Sequence, residues 1–167
     1  EELMRYGKQV KNPYLQQVIR YYFVNDEQFI KSFKAHSAAK SVHHGFAGGL
    51  LEHTLSVVKF CEYMAGAYPI LNKDLLFTAA ICHDIGKTKI PEEILNAPRR
   101  LTEEEFEIIK AHPVYSYELL WDNVDEDIRL AARHHHERLD GKGYPDQIAG
   151  DEISLLARIT AISDVYD

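Results

Sequence analysis

The feature that most constrains this chain is its periodicity. Almost every segment repeats its apolar residues at three and four positions, and none alternates convincingly as a half-buried strand does. Only helices packed against one another satisfy that pattern, so the expected fold is all-α, a bundle of about seven to eight helices. Pro13 suits the first turn of a helix running to about Phe23, with Asn12 as its cap. Asn25 or Asp26 opens a second, through about Ala39. A glycine-bearing turn from His43 to Gly49 leads into a long helix to about Ala67, and Asn72 caps another through Asp84. Thr102-Glu103-Glu104-Glu105 reads as a capped start of a helix to about Ala111. Pro113 opens the next, through Trp121, and one more runs from about Asp125 to a triple histidine. Residues 139–150 form the one substantial loop, and the last helix starts near Asp151 to Ile153. At 167 residues a single domain, 1–167, is expected. The chain begins without Met and stops inside an apolar helical pattern at Val165-Tyr166-Asp167, so it is expected to be a piece of a longer protein.

Hydrophobic residues at 46% and charged residues at 27% mark a soluble globular chain. No run reaches the ~18 apolar residues of a membrane span, and the first residues of this sequence show no signal-peptide pattern; a cytoplasmic location is expected. Cys61 and Cys82 each sit in an apolar helical run and read as buried, reduced thiols. The net charge of −7 argues against a surface that grips long nucleic acid by counterion release. A small anionic substrate stays open, because two divalent cations would offset four of those charges locally.

Nine histidines are the unusual number, and most fall in short motifs. His83 continues the apolar face of Leu75, Leu76, Ala79 and Ala80. A histidine there is ordinarily a satisfied core residue, but the adjacent Asp84 needs a strong partner beside a buried face. His53 sits likewise between Leu50 and Val57. His112 precedes Pro113, His135 and His136 end another helix, and Asp164 lies among Ala157, Thr160 and Ala161, whose small side chains leave a carboxylate room. Imidazole with carboxylate, and no cysteine in a motif, suits Mn, Fe, Ni or Zn better than Ca or Mg. Four or five histidines with two aspartates exceed the needs of one ion. A pair of divalent transition-metal ions is therefore expected, with Asp84 placed to bridge cations about 3.5–4 Å apart. Two cations sharing a water would create a hydroxide for in-line attack on phosphorus, and no Ser or Cys nucleophile motif competes with that reading. Lys87, one turn beyond Asp84, is a candidate catalytic cation for a phosphate oxygen. Arg99 and Arg100, in a proline-flanked loop, are candidate phosphate contacts or simply a solvated pair. Glu137 and Asp140 are candidate outer partners of the histidine pair.

The string His83-Asp84-Ile85-Gly86-Lys87 matches the signature of the HD superfamily of metal-dependent phosphohydrolases. The run HHERLDGKGYP, His135 to Pro145, resembles the defining motif of its HD-GYP subfamily, and the likeness extends over about residues 75–167. Residues 12–87, with NPYL and AAKSVHHGFAGGLLEHTL, are instead similar to the HD domain of the YhaM-type 3′→5′ exoribonucleases. The resemblance implies an HD-domain helical bundle with His53 as the first metal histidine and His83 and Asp84 as the HD pair. It implies His112, His135 and His136 on the second metal, and Asp164 closing the first site. Its register leaves His134 a bystander. Gly49 stands where some HD-GYP proteins carry a third-metal Glu, which favours two metals. His43 and His44 match the exoribonuclease-like motif and are expected at the substrate entrance, with Tyr144 also a candidate substrate contact.

The leading expectation is a phosphodiesterase acting on a cyclic dinucleotide such as cyclic di-GMP. The alternatives are a 3′→5′ exoribonuclease on short single-stranded RNA, a nucleotide phosphomonoesterase, and a degenerate sensor that binds a nucleotide without cleaving it. The sequence gives no oligomeric state.

Overall fold

A computed structural model of the chain describes residues 1–38, 46–120 and 124–166. Among the described residues every regular element is helical. The α-helices are α1 (Glu2–Gly7), α2 (Pro13–Arg20), α3 (Glu27–Ala35), α4 (Gly49–Ala67), α5 (Lys73–Cys82), α6 (Glu92–Leu95), α7 (Glu103–Ile109), α8 (His112–Leu119), α9 (Glu126–His134) and α10 (Leu155–Tyr166). The all-α expectation holds. The helix number exceeds it because α1 and α6 are too short to carry an apolar period.

The helix starts follow from their caps. Asn12 Oδ1 accepts from the amides of Tyr14 and Leu15, and Asn72 Oδ1 from Asp74 and Leu75. Asp26 and Asp125 open α3 and α9 in the same way, and Thr102 with Glu105 forms a reciprocal capping box on α7. Three boundaries differ from expectation, the first being the end of α3, which stops at Ala35 and not about Ala39 because His36 turns extended. The helix begun at Pro13 widens into a π-helical turn, Tyr21–Asn25, and α5 stops at Cys82 instead of reaching Asp84. A 3-10 turn, Ile85–Lys89, follows and turns the chain away.

The core is built on α4 and α5, with α10 packed on both. Leu50, Val57, Val58 and Cys61 of α4 meet Leu76, Phe77, Ala80 and Ile81 of α5, and the short N-terminal helices add Tyr6, Leu15 and Ile19. Phe23, Phe29 and Phe33 close one end with edge and stacked ring contacts. Both cysteines are buried free thiols, and burial pushes them up, Cys61 to about 11 and Cys82 to about 12. Among the described residues no helix is long and apolar enough to cross a membrane.

Candidate metal centre

Each candidate ligand is delivered by the element it stands on. His53 occupies the buried stripe of α4, one turn beyond Leu50 and one before Val57. His83 and Asp84 follow the last residue of α5, where the chain leaves the helix. His112 is the first residue of α8, and His135 and His136 follow the end of α9. Asp164 lies on the buried face of α10 with Ala157 and Thr160. Gly86 sets the spacing between the second and third of these elements. A Cβ there would stand 2.1 Å from the carbonyl oxygen of His112 and 2.4 Å from the amide of Ser116. Only glycine lets the 85–89 turn touch α8, and the Gly86 amide donates to Ser116 Oγ at 2.9 Å. Asp84 is thereby set beside His112.

Two side-chain groups come together, His53 with His83 and Asp84, and His112 with His135 and His136. Within the first, the Nε2 atoms of His53 and His83 face each other at 3.4 Å; within the second, those of His112 and His135 do so at 3.3 Å. His83, His112 and His135 each give Nδ1–H to the carbonyl three residues back, at Ala80, Ile109 and Ala132. In the neutral ring that leaves a lone pair on each Nε2. Between His112 and His135 these lone pairs face each other, and they repel unless a cation lies between them. The donor set thus fits metal ions and does not fit an ordinary core.

Asp84 spans the two groups. Its Oδ2 lies 3.6 Å from His53 Nε2 and 3.3 Å from His83 Nε2, while Oδ1 lies 3.1 Å from His112 Nε2 and 3.6 Å from His135 Nε2. Oδ1 is buried and has no hydrogen-bond partner among the described residues, since His112 already commits its ring proton to Ile109. A carboxylate oxygen left so is costly without a cation to meet it. Asp164 also reaches both groups, with Oδ1 2.9 Å from His53 Nε2 and Oδ2 3.9 Å from His136 Nδ1. Burial pushes the Asp84 carboxyl up, but Lys87 and His83 outweigh it and hold the group well below the usual carboxylate range. Burial also drives His112 down to about 4, lowers His53, and drives His136 well below its ordinary value. His83 goes the other way, because the Asp84 charge overcomes its burial. Ionised carboxylates with mostly neutral imidazoles are the protonation state that ligates metal.

The residues around this cage meet the remaining expectations unevenly. Lys87 is buried, not a solvated helix-end lysine; its Nζ donates to Asp84 Oδ2 at 2.7 Å and to the Ala38 carbonyl at 3.0 Å. Tyr144 stacks on His136, with ring centroids 4.7 Å apart. Burial and the charges of Asp84 and Asp164 raise its phenol well above the ordinary value. His134 stays out of both groups and faces Asp146 Oδ2 at 2.9 Å. Among the described residues neither Glu137 nor Asp140 makes the expected direct hydrogen bond to the histidine pair. Glu137 Oε1 accepts from the amides of Asp146 and Gln147, and Asp140 pairs with Arg138, both closing the loop on itself. The physical reason is that His135 Nδ1 is already satisfied by its own helix. Arg99 is committed to Glu105 through contacts of 2.6 and 2.7 Å, and Arg100 is exposed. His43 and His44 lie outside the described residues. Sequence reasoning missed Ser116 and Asp146. Ser116 gave no signal, and Asp146 gave only its place directly after Pro145 in the loop.

A family profile described as the HD domain matches residues 43–167. The chain belongs to the HD domain family. This HD domain is 48% identical over 92 residues to the cyclic di-GMP phosphodiesterase response regulator RpfG of Xanthomonas campestris, covering 53% of the chain and 24% of that protein. It is 38% identical over 120 residues to 3′3′-cGAMP-specific phosphodiesterase 2 of Vibrio cholerae, covering 69% and 23%. It is 42% identical over 92 residues to a cyclic di-GMP phosphodiesterase of Thermotoga maritima, covering 53% and 25%. The chain spans about a quarter of the length of these curated relatives.

Proposed function

We propose that this HD domain is a phosphodiesterase that holds two divalent transition-metal ions, drawn from Mn, Fe, Ni or Zn, and hydrolyses a cyclic dinucleotide. The observation that carries the reading is the placement of Asp84, whose two oxygens each face a separate histidine group. His53, His83 and Asp164 hold one ion with Asp84; His112, His135 and His136 hold the other. Bound there, the pair supplies Lewis acidity toward a phosphoryl oxygen and lowers the pKa of a water toward neutrality. The chain's own part is to keep the carboxylates ionised, the imidazoles neutral and the cage closed. Lys87, the cation nearest Asp84, is assigned to a phosphoryl oxygen of the substrate, where its charge grows in value as negative charge develops. Tyr144 offers a ring at the more exposed edge of the cage, beside His136.

The substrate class rests on likeness to relatives named for cyclic di-GMP and 3′3′-cGAMP. It also fits a net charge of −7, which disfavours a long polyanion more than a compact ligand gripped by metals. The test offers metal-loaded protein cyclic di-GMP, 3′3′-cGAMP, a short single-stranded RNA and an aryl phosphodiester in parallel. Linearisation of either cyclic dinucleotide is expected, together with turnover of the aryl ester. Turnover of RNA and aryl ester without either cyclic dinucleotide overturns the substrate assignment and favours the exoribonuclease alternative. No turnover of any of the four overturns the hydrolytic reading.

A further inference from the structure

Three of the cage histidines are oriented alike and a fourth is not. His83, His112 and His135 are fixed by their Nδ1–H bonds to carbonyls, at 2.7 to 2.8 Å, and their side chains are at most 1% exposed. Among the described residues His136 has no such carbonyl, and its side chain is 23% exposed. Its ring is held by stacking. Tyr144 lies against it at 4.7 Å with 25° between planes, while the rings of His135 and His112 stand 4.2 and 5.0 Å away.

Tyr144 sits on an irregular loop, so its own position needs a restraint. Two residues on, the Asp146 carboxylate accepts from Arg133 Nε and Nη2 at 2.6 and 2.7 Å, and it faces His134 Nε2 at 2.9 Å. The amides of Asp146 and Gln147 donate to the buried Glu137 carboxylate at 2.6 and 2.9 Å. Gly143 permits the fold-back, because a Cβ there would stand 2.4 Å from both the Glu137 Cα and the Arg138 amide. Arg133 and His134 are the last two residues of α9, immediately before His135 and His136. The loop is thus tied back to the helix that delivers the ligands.

We infer that Asp146 is a positioning residue for the metal centre: locked onto Arg133 and His134, it presses Tyr144 against His136 and keeps that imidazole in its ligating pose. The inference rests on the metal-binding reading above and adds a residue outside the cage to it. A bidentate Arg–carboxylate pair has the directionality this requires, and partners that orient metal ligands commonly change metal affinity by about 10–100-fold when lost. The effect is local. Ions held by His112, His135 and His136 depend on it, and those held by His53, His83 and Asp164 do not.

The test compares wild type with Asp146→Asn, Tyr144→Ala, Tyr144→Phe and the double variant Asp146→Asn/Tyr144→Ala. One readout is the rate at which a mild chelator removes metal from Mn-loaded protein. The other is the proton spectrum of the His136 imidazole in metal-free protein, where the Tyr144 ring current shifts the resonances. Expected are about tenfold faster loss of one metal equivalent in Asp146→Asn and Tyr144→Ala, no further acceleration in the double variant, and wild-type behaviour in Tyr144→Phe, which keeps the stack. The His136 resonances should move toward ordinary positions in Asp146→Asn. Unmoved resonances in Asp146→Asn overturn the inference, whatever the metal data give. So does equal acceleration of both equivalents, which would mean general loosening, and so does a fully additive double variant. Wild-type protein that takes up no metal overturns the metal-binding reading instead, and the resonance shift then still decides whether Asp146 positions Tyr144.

Discussion

At the scale of single residues, Asp84 meets two demands, since it must stay ionised in a dry site and serve both histidine groups at once. Asp84→Ala is therefore expected to strip metal from both groups and abolish hydrolysis. Metal analysis of the purified variant checks it, and retention of one equivalent would show that the carboxylate does not bridge. His134 differs from its neighbours because its ring faces Asp146 and not the cage. His134→Ala should leave kcat/KM within about threefold, under ~1 kcal/mol of transition-state stabilisation, because the two Arg133 contacts still hold Asp146. Loss as large as that of His136→Ala would put His134 in the cage. The burial of His53 and His83 was legible in the sequence, because a histidine interrupting an apolar helical stripe can point only inward, whereas the grouping of His112, His135, His136 and Asp164 with them was expected through the family resemblance. The partners of Glu137, Asp140 and Arg99 were not legible. Their side chains turn within irregular loops, where residue spacing does not set direction; Glu137 and Asp140 found partners in their own loop, and Arg99 found Glu105 in the first turn of α7.

Elements with a full apolar stripe or a capping side chain were readable in advance. The starts of α2, α5, α7 and α9 fall where Asn12, Asn72, Thr102 and Asp125 offer an oxygen to the next amides. The π-turn at Tyr21–Asn25 and the 3-10 turn at Ile85–Lys89 were not readable, because each arises from a packing demand and not from a periodic pattern. In the first, Tyr22 Oη reaches the Leu119 carbonyl at the end of α8. In the second, Gly86 must lie flat against the start of α8. That contact makes a test of the junction that positions Asp84 against His112. A methyl group at Gly86 would overlap backbone atoms that cannot rotate away. Gly86→Ala should cost roughly 2–3 kcal/mol, or about 4–12 °C in thermal midpoint for a chain of this size. A midpoint within 2 °C of wild type would mean that the turn and α8 separate easily.

Over the whole molecule, the candidate ligands come from α4, the end of α5, the start of α8, the end of α9 and α10, so bound metal would tie together helices from both halves of the chain. The same cage without cations gathers the facing imidazole lone pairs of His112 and His135 and a carboxylate oxygen that has no hydrogen-bond partner among the described residues. Burying these groups opposes folding until something positive compensates them, and Lys87 supplies one charge where two aspartates are buried. Because the ligands are dispersed in the unfolded chain, metal that binds the cage favours the folded state over the unfolded one. Each site held at about 100 times its Kd should add about 2.7 kcal/mol, which corresponds to roughly 5–11 °C in thermal midpoint. Chelation followed by stepwise return of Mn or Zn is therefore expected to raise the midpoint in proportion to the logarithm of metal concentration, with a steeper slope once both sites fill. Asp84→Ala should flatten that response, and His134→Ala should leave it intact. A midpoint indifferent to metal in the wild-type chain would mean that the facing histidines are an ordinary buried cluster, and the proposed two-metal site would fall with it.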